Sequence, residues 1–302
     1  MKTRPFKQVD VFTDTPYLGN PLAVVLDGSD LSTEAMQHFA HWTNLSETVF
    51  LLPPTPAAAA QGAHYRMRIF TPGAELPFAG HPTLGSCHAW LQSRGMGEPN
   101  GHSDSAELLQ ECGVGLVRIR RDGTRLAFAA PPLTRRAPDP ATVTQVAMAL
   151  GLDAQHIVTS QWLDNGPVWL GLLIDSAEVL LAIDPNHPEL KNLGIKVGVV
   201  HINRASVDIT LVANSDQSDR ASGLQVRAFA AAVGVNEDPV TGSLNASLAQ
   251  WLVADAWLPP RYVATQGTRL GRHGQVLVQQ DDDGQIWVGG AVVTCINGGV
   301  TL

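Results

Sequence analysis

The sequence predicts an α+β protein of two domains, and three observations carry that reading. The first is element order: strand patterns, then a helix, then strand patterns, run through twice. The regular strand–helix–strand alternation of a doubly wound parallel sheet is missing, which points to largely antiparallel or mixed sheet around few helices. The second is length: 302 residues can bury a sizeable core and are typical of two domains. The third is a repeated device, one copy in each half. Gly80-His81-Pro82-Thr83-Leu84-Gly85-Ser86 and Asn236-Glu237-Asp238-Pro239-Val240-Thr241-Gly242-Ser243 both read as loops feeding helices. With His81 set against Asp238, Pro82 falls on Pro239, Gly85 on Gly242 and Ser86 on Ser243. Each copy runs on to a Trp-Leu pair, Trp90-Leu91 and Trp251-Leu252.

The elements follow in order. Residues 7–14 alternate, with Val9 and Val11 opposite Asp10 and Phe12, and a turn with Pro16, Gly19, Asn20 and Pro21 leads to the apolar run 22–26. That is two strands joined by a loop. Ser32 is the N-cap of a helix carrying Glu34, Met36, Phe39, Ala40 and Thr43 at helical spacing and ending near Asn44. Glu47 stands at the entry to a strand at 48–52. Residues 53–63 read as a loop of small residues, and Tyr65, Met67 and Ile69 mark the next strand. The first device opens a helix reaching about Ser93, a Gly- and Ser-rich surface loop covers 95–105, and strands occupy 107–112, 115–121 and 124–129.

Pro131 to Pro140 reads as a linker, so the first domain spans 1–130 and the second 131–287. The second half opens with a helix at 140–150 closed by Gly151. Strands follow at 156–163, 167–174, 196–202 and 206–213, with a short helix around Leu190–Leu193. A strand at 224–229 leads to the second device and a helix at 241–254. The end is all strand: 262–266, 275–280, a hairpin at Asp283-Gly284, and 285–295.

Composition narrows the function classes. A net charge of -8 argues against nucleic acid or an anionic membrane as partner. No apolar run reaches the length of a membrane span, and the N-terminus has no signal-peptide core. Three cysteines, Cys87, Cys112 and Cys295, lack metal-ligand spacing and fit a reducing cytoplasm. No dinucleotide fingerprint, phosphate loop, zinc-protease motif or nucleophile elbow occurs. Nothing asks for a metal, a nucleotide or a flavin, so no cofactor is expected.

The devices are the first candidates for chemistry. A proline at the first helical position loses nothing, and the N–H groups after it, with the helix dipole, attract an anion. Two such starts facing each other across a cleft would hold a small carboxylate beside His81 and Asp238. Asp before Pro is also an excellent N-cap, so Asp238 alone reads first as a cap; histidine is not a preferred cap, so His81 wants another reason. Glu47 reads by composition as a solvated acid at a strand start. Facing the cleft near a second carboxylate, it would instead have a raised pKa and suit general acid–base work. Asp10 and Asn20 line the cleft or shape its turn, and Glu75 carries the same ambiguity. Gly85 and Gly242 allow close packing or close ligand approach.

Several of these stretches together resemble the phenazine-biosynthesis PhzF-like family. They are Val9-Asp10-Val11-Phe12, Leu18-Gly19-Asn20-Pro21-Leu22-Ala23-Val24-Val25, Leu45-Ser46-Glu47-Thr48-Val49-Phe50, Arg68-Ile69-Phe70-Thr71-Pro72, both devices, Gln266-Gly267 and Gly271-Arg272. They occur in the family's order over nearly the whole chain. The resemblance implies a diaminopimelate-epimerase-like fold: two similar domains, each a curved mixed or antiparallel sheet wrapped around a central helix, with the active site in the cleft between them. It implies that a C-terminal strand, about 288–302, returns to the first domain. It also implies a cofactor-independent isomerase, commonly homodimeric, that moves a proton at carbon on a small carboxylate-bearing substrate. The best-understood member acts on a dihydro-hydroxyanthranilate.

In that frame Glu47 is the acid–base, His81 and Asp238 assist it, and Asn20, Gly80, Gly242 and Ser243 bind substrate. The sequence departs from the family pattern at Ala230-Ala231-Ala232, at Leu244-Asn245 and at Glu111-Cys112-Gly113, which leaves the substrate open. Fold-related racemases use two opposed cysteines as bases. Here the matching positions carry His81 and Asp238, so two-thiol racemisation is disfavoured. The alternative from another class is a non-catalytic or regulatory small-carboxylate binder on the same fold.

Overall fold

Strand patterning and helix caps explain most of the observed elements. The computed structural model describes residues 1–96, 107–203 and 223–302. The strand expected at 206–213 and most of the loop expected at 95–105 lie outside the described residues. The chain divides into unit 1, Met1–Ala129 with Gly289–Leu302, and unit 2, Ala130–Val288. Among the described residues, no helix is long and apolar enough to cross a membrane.

Unit 1 contains β1 (Thr3–Val11), β2 (Asn20–Val25), α1 (Thr33–Thr43), β3 (Thr48–Leu52), α2 (Pro56–Ala59), β4 (Tyr65–Phe70), β5 (Glu75–Leu76), α3 (Gly80–Ser93), β6 (Leu108–Cys112), β7 (Gly115–Asp122) and β8 (Arg125–Ala129). Helix α1 begins where Ser32 accepts from the Ala35 N–H and ends on a left-handed Asn44, two local signals that act without tertiary help. Residues 53–63 are not all loop: Thr55 caps α2, and the Glu111 carboxylate takes both the Thr55 N–H at 2.7 Å and its hydroxyl at 2.9 Å. Glu111 is therefore a structural acid.

The pairings in unit 1 close on themselves. β1 pairs with β2, β2 with β3, β3 with β4, β4 with β6, β6 with β7, and β7 with β8. The long final strand β17 (Ile286–Thr301) then pairs with both β8 and β1. Helix α3 is buried over most of its length. A Cβ on Gly85 would come within 2.6 Å of Leu22 and 3.0 Å of Val11, so Gly85 serves close helix–sheet packing. We expect Gly85→Ala to destabilise unit 1 by about 1–3 kcal/mol, read as a lower urea midpoint; an unchanged midpoint would show that the contact gives way freely. On the other sheet face, Val25, Met36, Phe39, Phe50 and Phe70 form a separate apolar cluster under α1.

Unit 2 contains β9 (Thr134–Arg136), α4 (Pro140–Leu150), β10 (Ile157–Asp164), β11 (Val168–Ile174), α5 (Ala177–Ala182), α6 (His187–Leu193), β12 (Val197–Ile202), β13 (Leu224–Ala230), β14 (Val235–Asp238), α7 (Gly242–Ala254), β15 (Arg261–Gln266) and β16 (Gly274–Gln280). Two segments correct the sequence reading. The Pro-rich linker includes β9, paired with β10 through Arg136 and Trp162. The acid-rich stretch at 236–238 is strand β14, not a turn, and pairs with β13 through Asp238 and Ala228. Both are short strands held by a partner, which local pattern does not show.

The sheet is mixed: β11–β12 and β13–β15 run parallel, while β10–β11, β12–β13 and β15–β16 run antiparallel. Alternation along β11 and β12 assigns the two faces. Leu170, Leu172, Ile174, Val197 and Val199 pack with residues of α4, α5 and α6. The glycines between them receive α7: Gly171 meets the Trp251 ring and Gly198 meets Leu244.

Candidate functional site

In unit 1 a polar cluster forms where two strands and a helix begin. The parallel pairing of β2 with β3 sets Ala23 beside Thr48, so both strand starts lie at one end of the sheet. Asn20 is the first residue of β2, and Glu47 immediately precedes β3. His81 is the second residue of α3, whose cap residue Ala79 offers no side-chain cap. The structure brings these three together. His81 Nε2 lies 3.4 Å from Glu47 Oε2, and His81 Nδ1 lies 3.3 Å from the Asn20 amide nitrogen. The Ser46 hydroxyl donates to Asn20 Oδ1 at 3.5 Å. Asn20 is fully buried, His81 is 3% exposed, and the Glu47 side chain keeps 15% of its surface open.

The His81–Glu47 approach would be an ion pair only with a protonated ring. Burial pushes the His81 pKa from 6.5 down to about 3, so at neutral pH this is a polar contact of a neutral imidazole. His88, further along α3, is pushed to about 4 by burial and then by the nearby Lys7 charge. Both folded values lie below the unfolded value, so the unfolded state binds more protons as the pH falls below 6.5. The stability these groups contribute is present above that point and is lost on acidification, by up to about 1.4 kcal/mol per pH unit for each group. Melting temperature should therefore drop between about pH 6.5 and pH 4, and His88→Gln should flatten the drop; an unchanged profile would contradict the assignment.

Neighbouring residues resolve into packing roles. Asp10 accepts the Gly19 N–H at 3.0 Å and shapes the early turn. Glu75 forms a two-pronged pair with Arg68 at 2.7 and 2.6 Å.

In unit 2 the second device departs from its expected form. Helix α7 starts at Gly242, with Thr241 as cap residue, and Asp238 is the last residue of β14, so Asp238 is not an N-cap. Nor does either proline take the first helical position. Pro82 is third in α3, where its missing N–H still costs no helical bond, and Pro239 lies outside α7. The two helices therefore match by their starts and their Trp-Leu ends, not through His81 with Asp238; the alignment slipped by about a turn.

Around Asp238 the polar groups interlock. The Thr241 hydroxyl donates to Asp238 Oδ2 at 2.6 Å. Gln266, 1% exposed, donates to the Asp238 carbonyl at 2.9 Å and to Thr241 Oγ1 at 3.0 Å. Its own oxygen accepts from the Thr241 N–H at 3.0 Å and from the Asn245 amide at 2.9 Å. Gly267 takes a positive φ of 97°, where a Cβ would strike the Pro239 carbonyl at 2.7 Å, so only glycine brings this loop so close. The Asn165 amide donates to the Ser243 carbonyl at 3.0 Å. This leaves the first N–H groups of α7, from Gly242 on, as the donors of a helix start. In α3 the corresponding donors are Gly80 and His81.

In the sequence, Thr241 and Asn165 carry no assigned role, Gln266 stands only as a strand end within a family motif, and Asn245 as a departure from the family pattern. The glutamine that closes β15 is the one available signal; Asp164-Asn165-Gly166 reads simply as a turn. The cysteines take no part in either cluster. Cys87 lies buried within α3 with its pKa pushed up to about 12 by desolvation, so it carries no thiolate at neutral pH. Among the described residues, no group of three or more His, Cys, Asp or Glu is placed to hold a metal ion.

Comparison with known proteins bears on this arrangement. The sequence profile of the phenazine biosynthesis-like protein family (PhzC-PhzF) matches residues 9–298. The fission yeast Schizosaccharomyces pombe protein named antisense-enhancing sequence 1 is 33% identical, over 99% of each chain. The Pseudomonas aeruginosa protein named trans-2,3-dihydro-3-hydroxyanthranilate isomerase is 31% identical, over 92% of this chain and 90% of its own. A PhzF-family crystal structure from Bacillus anthracis superposes with a TM-score of 0.79 over the whole of both chains at 23% identity, a likeness of fold.

Proposed function

The chain belongs to the phenazine biosynthesis-like protein family and is an isomerase of that type; on that premise we propose that Glu47 moves a proton between carbons of a small carboxylate-bearing ring substrate. No cofactor is required by this reading. The observation that carries it is the largely buried Glu47 carboxylate, its side chain 15% exposed, 3.4 Å from a neutral, buried His81 at the start of α3. A carboxylate can lift a proton from an activated carbon and return it to another, which leaves substrate and product at the same oxidation level. His81 assists as a polar partner. Gly80 offers its backbone N–H, and Asn20 supports this end of the site. Within unit 2, Asp238, Gly242 and Ser243 would bind substrate, with the α7 start suited to a carboxylate group. The finer fold description, two similar domains each built round its central helix, belongs to the same reading, as does a homodimer, which sedimentation would check. Opposed-thiol epimerisation finds no support, because the cysteines lie outside both polar clusters.

The test uses amino- and hydroxy-cyclohexadiene carboxylates in heavy water, beginning with the compound for which the Pseudomonas relative is named. Proton NMR should show deuterium entering at ring carbon together with isomerisation. Ligand-dependent stabilisation without any uptake would leave the non-catalytic carboxylate binder as the better description.

A further inference from the structure

We infer that the buried Asn20 amide is a positioning residue that holds His81 in its Nε2–H tautomer and so keeps the N–H edge of the ring on the side of Glu47. Three distances make the case. An asparagine amide nitrogen only donates, and it lies 3.3 Å from His81 Nδ1, so Nδ1 must present its lone pair. A neutral ring carries one proton, which then sits on Nε2. That nitrogen is 3.4 Å from Glu47 Oε2, a close polar contact in which the ring N–H falls short of hydrogen-bond geometry. The Ser46 hydroxyl lies 3.5 Å from Asn20 Oδ1 and donates to it in this orientation. Turning the amide over would place Oδ1 against Nδ1 and move the ring proton there. The Nε2 lone pair would then face a carboxylate oxygen in a site with little water, an unfavourable pairing.

Backbone geometry supports the assignment. Asn20 opens β2 opposite Val11 of β1 and is fully buried, so its side chain has little freedom. Burial also keeps His81 neutral through the working pH range, so one tautomer is defined throughout. The consequence deepens the proposed function and rests on it in one respect, that Glu47 acts as a carboxylate. His81 then presents an N–H dipole, not a lone pair, on the side of Glu47. It steadies the base and takes no proton from it, and Asn20 works through His81 rather than on the substrate.

The tautomer can be read without turnover. In protein labelled with ¹⁵N-histidine, long-range ¹H–¹⁵N correlation separates the two ring nitrogens, and the His81 signals are those missing from His81→Gln. We expect a protonated Nε2 and an unprotonated Nδ1 in the wild type; a protonated Nδ1 there overturns the inference, even where no variant folds. In Asn20→Asp the new carboxylate accepts from Nδ1, so that nitrogen should gain a proton, as the switched tautomer or as an imidazolium between two carboxylates, and kcat should fall by about a hundredfold with KM little changed. A variant whose Nδ1 stays unprotonated would remove Asn20 from the role. The two readings fail separately: wild-type protein with the expected tautomer but no deuterium uptake sinks the isomerase mechanism and leaves the Asn20 assignment standing.

Discussion

Glu47→Gln should lower the rate of proton exchange at substrate carbon by roughly 10²–10⁴-fold, while ligand affinity and melting temperature stay close to wild type. The replacement is isosteric and keeps an oxygen that can face His81 Nε2, now 3.4 Å from the carboxylate. Packing is therefore preserved, and only the ability to carry a proton is lost. The Glu47 side chain is only 15% exposed, so the neutral amide escapes part of the carboxylate's desolvation cost and the variant should be no less stable than wild type. The loss should fall on kcat, because an amide that still fills the site binds substrate about as well but cannot take the proton. A fall of less than tenfold would move the chemistry elsewhere, with Asp238 as the next residue to replace. Loss of affinity without loss of kcat would assign Glu47 to binding.

How much of this was legible in the sequence depends on how local each feature is. Helix α1 has its boundaries written beside it in Ser32 and Asn44, and α4 likewise in Asp139 and Gly151; cap chemistry needs no distant partner. Strand β14 could not be read that way. Asn236-Glu237-Asp238-Pro239 looks like a turn by composition, and it becomes a strand because β13 lies beside it and because Pro239 keeps Asp238 extended. The slipped alignment of the two devices has the same origin: the Pro and Gly spacing matched, but helix starts are set by where the preceding strand ends. At the site, residue types were legible and their arrangement was not. Glu47 alone reads equally as a surface acid. Its partners come from positions 20 and 81, brought beside it by the parallel pairing of β2 and β3 and by the packing of α3, which no window of sequence contains.

The largest stability effect should come from Arg227→Met, about 3–5 kcal/mol, although Arg227 touches neither candidate polar cluster directly. Its guanidinium grips Glu237 through two bonds of 2.9 and 2.8 Å and donates to the Leu180 and Ile183 carbonyls at 3.1 and 2.7 Å. Both side chains are nearly closed to solvent, at 5% and 9% exposure. Removing the arginine strands a buried carboxylate and frees two carbonyls at the end of α5. It also loosens β14, whose ladder to β13 is short and interrupted by a register shift, and so disturbs the adjacent Asp238. Lysine is no substitute, because a single ammonium cannot serve a two-pronged carboxylate and two carbonyls from one fixed plane. Arg227→Met with Glu237→Leu should recover most of the loss, leaving about 1–3 kcal/mol for the unpaired carbonyls. Urea denaturation of the three proteins decides it: a single variant within about 1 kcal/mol of wild type, or a double variant no better than the single, would mean that the pair does not hold β14 in place.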